Sequence, residues 1–122
     1  MAIRGIRGAT TCDEDETGIL AATQELLLAV LEANPTLHTE EIASILFTVT
    51  GDLQTTYPAK AARQIGWVDV PLMCAREIDV PDGLPHCIRL LIHWNTDLPQ
   101  AAVRHVYLHE ATQLRPDLAH EK

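Results

Sequence analysis

The spacing of hydrophobic and polar positions along the chain alternates between strand-like and helix-like stretches. Residues 3–12 form a β-rich run that contains Gly5 and Gly8, and glycine inside a strand typically marks a bulge or a close backbone approach. Apolar residues then recur at helical spacing over residues 19–31, directly behind an acidic run that suits the positive end of a helix dipole. The pattern predicts a strand followed by a long helix, which stops at residues 34–35, Asn-Pro.

A short helix between two further strands is predicted next. Residues 45–50 are β-branched and aromatic and end at a Gly-Asp turn, which indicates a buried strand. Residues 58–65 begin with proline and precede a glycine, the arrangement expected of a short helix. The run 67–75 contains Pro71, which cannot donate to a strand ladder, so we expect either an edge strand or a bulge here.

The strongest strand pattern covers residues 87–95, where apolar side chains alternate and Arg89 lies off the main apolar face. Residues 103–114 are predicted to form a last strand, before a mobile polar tail at 116–122. The predicted fold is α+β, a mixed five-stranded sheet with one long and one short helix in a single domain, 1–122. The two helices can cover only part of the sheet, so some apolar strand surface would stay exposed to solvent in a monomer. We therefore predict that this surface is buried against other subunits.

Composition and charge narrow the function classes. A chain of 122 residues has room for one core, and its net charge of −8 repels nucleic acid and anionic lipid. The longest apolar run is too short to span a bilayer and no targeting signal is visible, so we expect no nucleic-acid or membrane partner. The three cysteines show no paired spacing, which favours the reducing cytoplasm over a disulfide framework.

Arginine usage is the most informative chemical feature. Seven of the nine basic residues are Arg, and Arg7, Arg63, Arg76 and Arg89 lie on or beside predicted strands. The planar guanidinium of arginine is suited to carboxylates. A lone arginine on a strand is more often a structural ion-pair partner than a ligand contact, and several together raise the odds of an anion site. Glu77, just after the edge strand, is open to three interpretations: a base, an acceptor for a substrate hydroxyl, or an ion-pair partner.

Nucleophilic and metal chemistry have weak support. Cys74 has no histidine placed to activate it and is predicted to be a small buried hydrophobe. His105 and His109 are four residues apart, which on a strand separates them by roughly 13 Å, so no metal site is expected there. Nucleotide-binding, zinc-protease and hydrolase motifs are absent from the sequence.

Five blocks together closely resemble the AroH-type, monofunctional chorismate mutases, in order and over residues 2–118. They are IRGIRGATT, YPAKAAR, MCAREID, CIRLL and RHVYLHEATQLRPDL. The resemblance implies a homotrimer that looks like an α/β barrel, with active sites at the subunit interfaces. It also implies the Claisen rearrangement of chorismate to prephenate, without cofactor or covalent intermediate, on the route to phenylalanine and tyrosine.

The same resemblance implies a set of site residues. Arg89 matches the arginine at the breaking ether oxygen, and Glu77 matches the acceptor for the ring hydroxyl. Arg7 and Tyr107 match carboxylate-binding residues. Residues 73–77 match a binding segment contributed by the neighbouring subunit. The remaining implied substrate-binding positions are Tyr57, Arg63, Met73, Cys74, Ala75, Arg76, Leu114 and Arg115.

Two positions depart from the family pattern, and two other functions remain open. Tyr57 stands where phenylalanine is familiar and Met73 where a small polar residue is, which affects pocket shape but removes no charge. The alternatives are a non-catalytic trimeric carboxylate-binding module and an imine-hydrolysing enzyme like the Rid family. The pairing of Glu77 with Arg89 argues for the mutase over both.

Overall fold

The computed structural model describes residues 2–115, which form a mixed five-stranded sheet and two α-helices. The predicted α+β class is therefore confirmed. The strands are β1 (Ile3–Thr11), β2 (Ile42–Val49), β3 (Leu72–Arg76), β4 (Cys87–Asn95) and β5 (Val106–Tyr107), and the helices are α1 (Glu16–Ala33) and α2 (Pro58–Gln64). No helix in this part of the chain combines the length and apolar character needed to cross a bilayer.

Strand β4 is the centre of the sheet, whose order is β3-β2-β4-β1-β5. It pairs antiparallel with both β1 and β2, while β3 and β5 run parallel to their neighbours at the two edges. The edge position expected for the Pro71 strand is confirmed. The strict alternation predicted for β4 is also observed, since every second residue from Ile88 to Trp94 is buried.

Helix α1 begins and ends at polar side chains that satisfy its free backbone groups. The Asp15 carboxylate accepts a hydrogen bond of 2.7 Å from the Gly18 N–H, which caps the first turn. At the other end, the buried Asn34 side chain donates to the carbonyls of Val30 and Arg104 and accepts from the Arg104 N–H. Asn34 therefore both ends the helix and holds the segment that leads into β5.

Helix α2 has the ends that its sequence predicts. Pro58 occupies the first turn, where its missing N–H costs nothing, and Gly66 follows the helix with φ +94°, a backbone conformation that favours glycine. The helix lies against α1, where Lys60 and Glu16 form an ion pair of 2.7 Å. Its buried face consists of Pro58 and three alanines, which allows close packing.

One face of the sheet, called here the core face, carries the main hydrophobic core. Ile6, Phe47, Leu90 and Ile92 on this face are buried together with apolar residues of α1. A Cβ atom on Gly8 would lie 3.1 Å from a Leu90 methyl group and 3.3 Å from a Leu26 methyl group, so this glycine is a close packing position. The close approach that Gly8 predicted is therefore made by helix α1.

The strand predicted over residues 103–114 is wrong for most of its length. Only Val106–Tyr107 is a strand, and a 3₁₀ helix follows at His109–Gln113. His109 has a φ of +54°, which a strand cannot continue, and its imidazole contacts Glu25 of α1 at 2.9 Å. The edge strand starts at Leu72 rather than residue 67, because Trp67 and Val70 turn into the core instead.

Candidate active site

Strand register brings residues from all five strands into one row across the face opposite the core face, called here the open face. Arg89 of β4 pairs with Thr48 of β2 on one side and Ala9 of β1 on the other. Thr48 in turn pairs with Ala75 of β3, and Ala9 pairs with Tyr107 of β5. Because cross-strand partners point to the same face of a sheet, the predicted residues Arg89, Tyr107 and Ala75 share this face.

The catalytic pair expected from the sequence is present within one chain. Glu77 follows β3 directly, and its N–H donates to the Val49 carbonyl at 2.8 Å, which extends the strand pairing by one residue. Its Oε2 atom lies 3.5 Å from Nε of Arg89, and both side chains are largely shielded from solvent. Within the chain, Glu77 therefore lies beside Arg89.

The two residues line a cleft of about 630 Å³, called here the Glu77–Arg89 cleft. Its walls come from the loop after β2 and from residues 76–85, including Arg76, Asp79 and Val80. The charged lining consists of three carboxylates, those of Asp52, Glu77 and Asp79, and two guanidinium groups, those of Arg76 and Arg89. A single chain therefore offers this cleft a small excess of negative charge.

A hydrogen-bond network closes one end of this cleft. Asp52 accepts from the Thr50 hydroxyl at 2.6 Å and from the His86 N–H at 3.1 Å. Although burial acts to raise it, these hydrogen bonds hold the pKa of Asp52 below its usual value. The His86 ring also lies within 3.5 Å of both Glu14 and Asp52, so the loop after β2 is tied to the start of β4.

Two buried polar atoms on the open face lack hydrogen-bond partners among the described residues. They are Nε of Arg89 and the hydroxyl oxygen of Tyr107. Burial raises the pKa of the Cys87 thiol, and the nearby Arg89 guanidinium opposes that rise. Buried donors without partners cost free energy, so the face is suited to a ligand that accepts hydrogen bonds.

Arg7 lies on the open face, two residues before Ala9 in β1. It pairs with Leu91 of β4, Leu91 pairs with Leu46 of β2, and Leu46 pairs with Met73 of the edge strand β3. The Arg7 N–H donates to Nδ1 of His105 at 2.9 Å, which fixes the backbone at this position. The apolar side chain of Met73, at the edge of the sheet, is 68% exposed within the described residues 2–115.

A second group of predicted residues lies elsewhere, at the β3 edge. Tyr57, Cys74, Ala75 and Arg76 line a groove of about 520 Å³ between β3 and the start of α2, called here the Tyr57–Cys74 groove. Burial raises the pKa of Cys74, so its thiol is not an activated nucleophile, although the nearby Arg63 acts in the opposite direction. The predicted site residues thus line two adjoining depressions, and Arg76 belongs to both.

The remaining predicted residues lie near the end of the described chain. Leu114 packs on a small cluster formed by Ala9, Cys87, Tyr107 and Ala111, which covers part of the open face. Arg115, the next residue in the chain, is half-buried. The predicted mobile tail, 116–122, lies outside the described residues.

Thr48 was not among the residues singled out from the sequence. Its hydroxyl donates to Oε2 of Glu77 at 2.7 Å. A lone threonine within ILFTVT carries no local signal beyond β propensity, and only the pairing of β2 with both neighbours places it beside Glu77 and Arg89. The alternation of β2 could have assigned its face, since Thr48 falls between Phe47 and Val49.

Comparison with known proteins gives a consistent result. Residues 3–118 match the model of the family chorismate mutase type I.

The chain belongs to the chorismate mutase type I family.

Two relatives named chorismate mutase AroH resemble this member of the family along almost all of their length. The protein from Thermus thermophilus is 59% identical over 117 residues, which cover 95% of this chain and 96% of the relative. The protein from Bacillus subtilis is 47% identical over 121 residues, which cover 98% and 94%. A solved chorismate mutase from Clostridium thermocellum superposes with a TM-score of 0.86 at 48% identity, covering 89% of this chain and 97% of that one.

Proposed function

We propose that this chorismate mutase type I chain acts as one domain and rearranges chorismate to prephenate, an isomerase reaction in aromatic amino acid biosynthesis. In this [3,3] rearrangement the ether C–O bond breaks while a new C–C bond forms, and the substrate supplies all the electrons. No proton or electron need pass between protein and substrate. The protein has to hold the folded conformer and favour the charges that develop as the bonds change.

The observation that carries the proposal is the Glu77 and Arg89 pair on the wall of one cleft. The ether oxygen gains negative charge in the transition state, while the ring becomes relatively positive. A guanidinium at the oxygen and a carboxylate at the ring therefore stabilise the transition state more than the ground state. We assign Arg89 to the ether oxygen and Glu77 to the ring hydroxyl, from which its carboxylate accepts a hydrogen bond.

Carboxylate binding requires cations beyond those of the cleft. Chorismate carries two carboxylates, whereas the lining of the Glu77–Arg89 cleft has more carboxylates than guanidinium groups. We assign Arg7 and the buried Tyr107 hydroxyl to substrate carboxylates, because both residues lie on the open face near Arg89. Without these two residues, the net negative charge of the cleft would repel the chorismate dianion.

A neighbouring chain supplies the rest of the site in this proposal. Tyr57, Cys74 and Ala75 of the Tyr57–Cys74 groove do not line the Glu77–Arg89 cleft, although the resemblance assigns them to the same ligand. Tyr57, Met73 and Ile78 are 70%, 68% and 80% exposed, which is unusual for large apolar side chains and fits a subunit contact. We propose a homotrimer in which the groove residues and Arg63 of one chain complete the cleft of the next.

The cellular setting follows from the cysteines. Cys12, Cys74 and Cys87 are all free thiols. We propose that the protein works in the cytoplasm, where thiols stay reduced. The family match and the named relatives support the mutase, and they support neither the imine hydrolase nor the non-catalytic binding module.

The direct test is to mix the purified protein with chorismate and follow the loss of its ultraviolet absorption. Conversion to prephenate is expected, and a binding module would leave the spectrum unchanged. Glu77→Gln keeps the shape of the side chain and removes its charge, so kcat should fall about 100-fold. Glu40→Gln, an exposed glutamate of the 3₁₀ helix Thr39–Glu41, is the matched control and should keep full activity.

A further inference from the structure

The side chain of Glu77 is held by a residue that the proposed reaction does not itself require. The Thr48 hydroxyl donates to Oε2 of Glu77 at 2.7 Å, a short hydrogen bond typical of a charged acceptor. Thr48 is half-buried near the C-terminal end of β2 and pairs with Arg89 on one side and Ala75 on the other. Its backbone is therefore fixed by strands on both sides, and its hydroxyl approaches Glu77 from a rigid part of the sheet.

The same oxygen atom faces Arg89 without forming a hydrogen bond to it. Oε2 of Glu77 is 3.5 Å from Nε of Arg89, and that buried Nε has no hydrogen-bond partner within residues 2–115. Arginine and carboxylate normally close to about 2.8 Å and often pair through two parallel hydrogen bonds. Here the carboxylate stops short of that arrangement, although its charge partner is adjacent.

Two hydrogen bonds determine this position of the carboxylate. The Glu77 N–H is bonded to the Val49 carbonyl, Oε2 is bonded to Thr48, and both partners belong to β2. Within the described residues, the recorded side-chain contacts of Glu77 all go through Oε2. Oε1 is the atom that remains for a substrate hydroxyl.

We propose that Thr48 is a positioning residue for the rearrangement, which acts by holding Oε2 of Glu77 away from Arg89. This keeps Oε1 directed at the substrate and leaves the guanidinium donors of Arg89 for the ether oxygen. The inference rests on the proposed function, because it assigns Thr48 a role through Glu77. Without the hydroxyl, the Glu77 carboxylate forms a hydrogen-bonded ion pair with the Arg89 guanidinium. Both groups then stabilise the transition state less.

The test replaces Thr48 by residues that separate its hydroxyl from its shape. Thr48→Val keeps the branched shape and suits a strand, so the fold is preserved while the hydrogen bond is lost. We expect kcat to fall about tenfold, with KM changed by less than about twofold. Thr48→Ser restores the hydroxyl and should recover kcat to within about threefold of the wild type. Thr48→Ala provides a second hydroxyl-free variant.

A double-mutant cycle with Glu77→Gln distinguishes positioning from a general structural effect. If Thr48 acts through the carboxylate, adding Thr48→Val to Glu77→Gln should change kcat by less than about twofold. An equal loss in both backgrounds would overturn the proposal, as would wild-type kcat in both Thr48→Val and Thr48→Ala. Thr10→Val, a buried threonine of β1 on the core face, is the control for the same substitution elsewhere in the sheet.

Different variants test the role of Thr48 and the proposed function. Wild-type activity in the Glu77→Gln single variant would remove Glu77 from the reaction and contradict the proposed function. A large loss in Glu77→Gln combined with no loss in the Thr48 variants would overturn only the role of Thr48.

Discussion

The two faces of the sheet solve different physical problems with the same five strands. On the core face, Phe47 and Leu90 are buried against helix α1 and the apolar area removed from water stabilises the fold. On the open face, the paired positions Thr48 and Arg89 both approach Glu77, and the buried Nε of Arg89 has no hydrogen-bond partner among residues 2–115. A shift of one residue along β4 therefore separates a packing position, Leu90, from Arg89, to which we assign a catalytic role.

This difference shows which part of the molecule can be changed without affecting the other. The core face depends on shape and apolar area, so its variants should affect stability and leave the chemistry of each folded molecule intact. The open face depends on charge placement, so its variants should affect turnover and leave the fold intact. Four predictions test this separation, in order of decreasing expected effect.

The largest effect is expected for Arg89→Lys on the open face. Lysine keeps the charge but cannot make two forked hydrogen bonds, so kcat should fall about 1,000-fold with little change in unfolding. Steady-state kinetics and urea unfolding measure both. Arg104→Lys, an exposed arginine outside the cleft, is the control with the same chemical change. Near-normal turnover in Arg89→Lys would remove the proposed role from this residue.

Leu90→Ala tests the core face beside it. The leucine is 3% exposed and contacts the Gly8 position, so its truncation should lower the free energy of unfolding by about 3 kcal/mol. Urea unfolding should show this loss, while kcat measured well below the unfolding transition stays near the wild-type value. Leu28→Ala, on the exposed side of α1, should cost less than about 0.5 kcal/mol.

Asp52→Asn tests the network that closes the cleft. Because hydrogen bonds lower the pKa of Asp52 in the folded state, its ionised form stabilises the fold above the pKa of the unfolded chain. This stability is lost as the pH falls through the lowered pKa. The variant should therefore unfold more easily than the wild type at pH 7, and the difference should shrink in acid. A difference that stayed constant with pH would contradict this account.

The smallest effect is expected for Cys74→Ser. The thiol has a raised pKa and lies at the β3 edge, so it supplies no nucleophile and the variant should keep kcat within about threefold of the wild type. Complete loss of activity with an intact fold would indicate covalent chemistry.

The sequence predicted the core face better than the open face for a physical reason. Alternation along β4 identified Ile88, Leu90 and Ile92 directly, because burial leaves a periodic signal. The role of Thr48 depends on the register between β2, β3 and β4, which no local pattern encodes.

The end of the chain was predicted least well. The Val, Leu and Tyr content of residues 103–114 predicted one long strand, but the positive φ of His109 and its contact with Glu25 end the strand. Such a turn is decided by tertiary contact with helix α1. The residues of the candidate site came from the family resemblance, since an isolated Arg89 or Glu77 has structural ion pairing as its default interpretation.

Subunit complementation tests the central claim most directly, namely that the Glu77–Arg89 cleft is completed by Arg63 and the groove of a neighbouring chain. Arg89→Lys and Arg63→Ala chains should each have low activity alone. Unfolding and refolding them together in equal amounts gives random trimers, in which about one quarter of the interfaces combine the two intact halves. We predict recovery of about one quarter of wild-type activity. Activity no higher than the mean of the two parents, in mixed trimers verified by native mass spectrometry, would contradict the account.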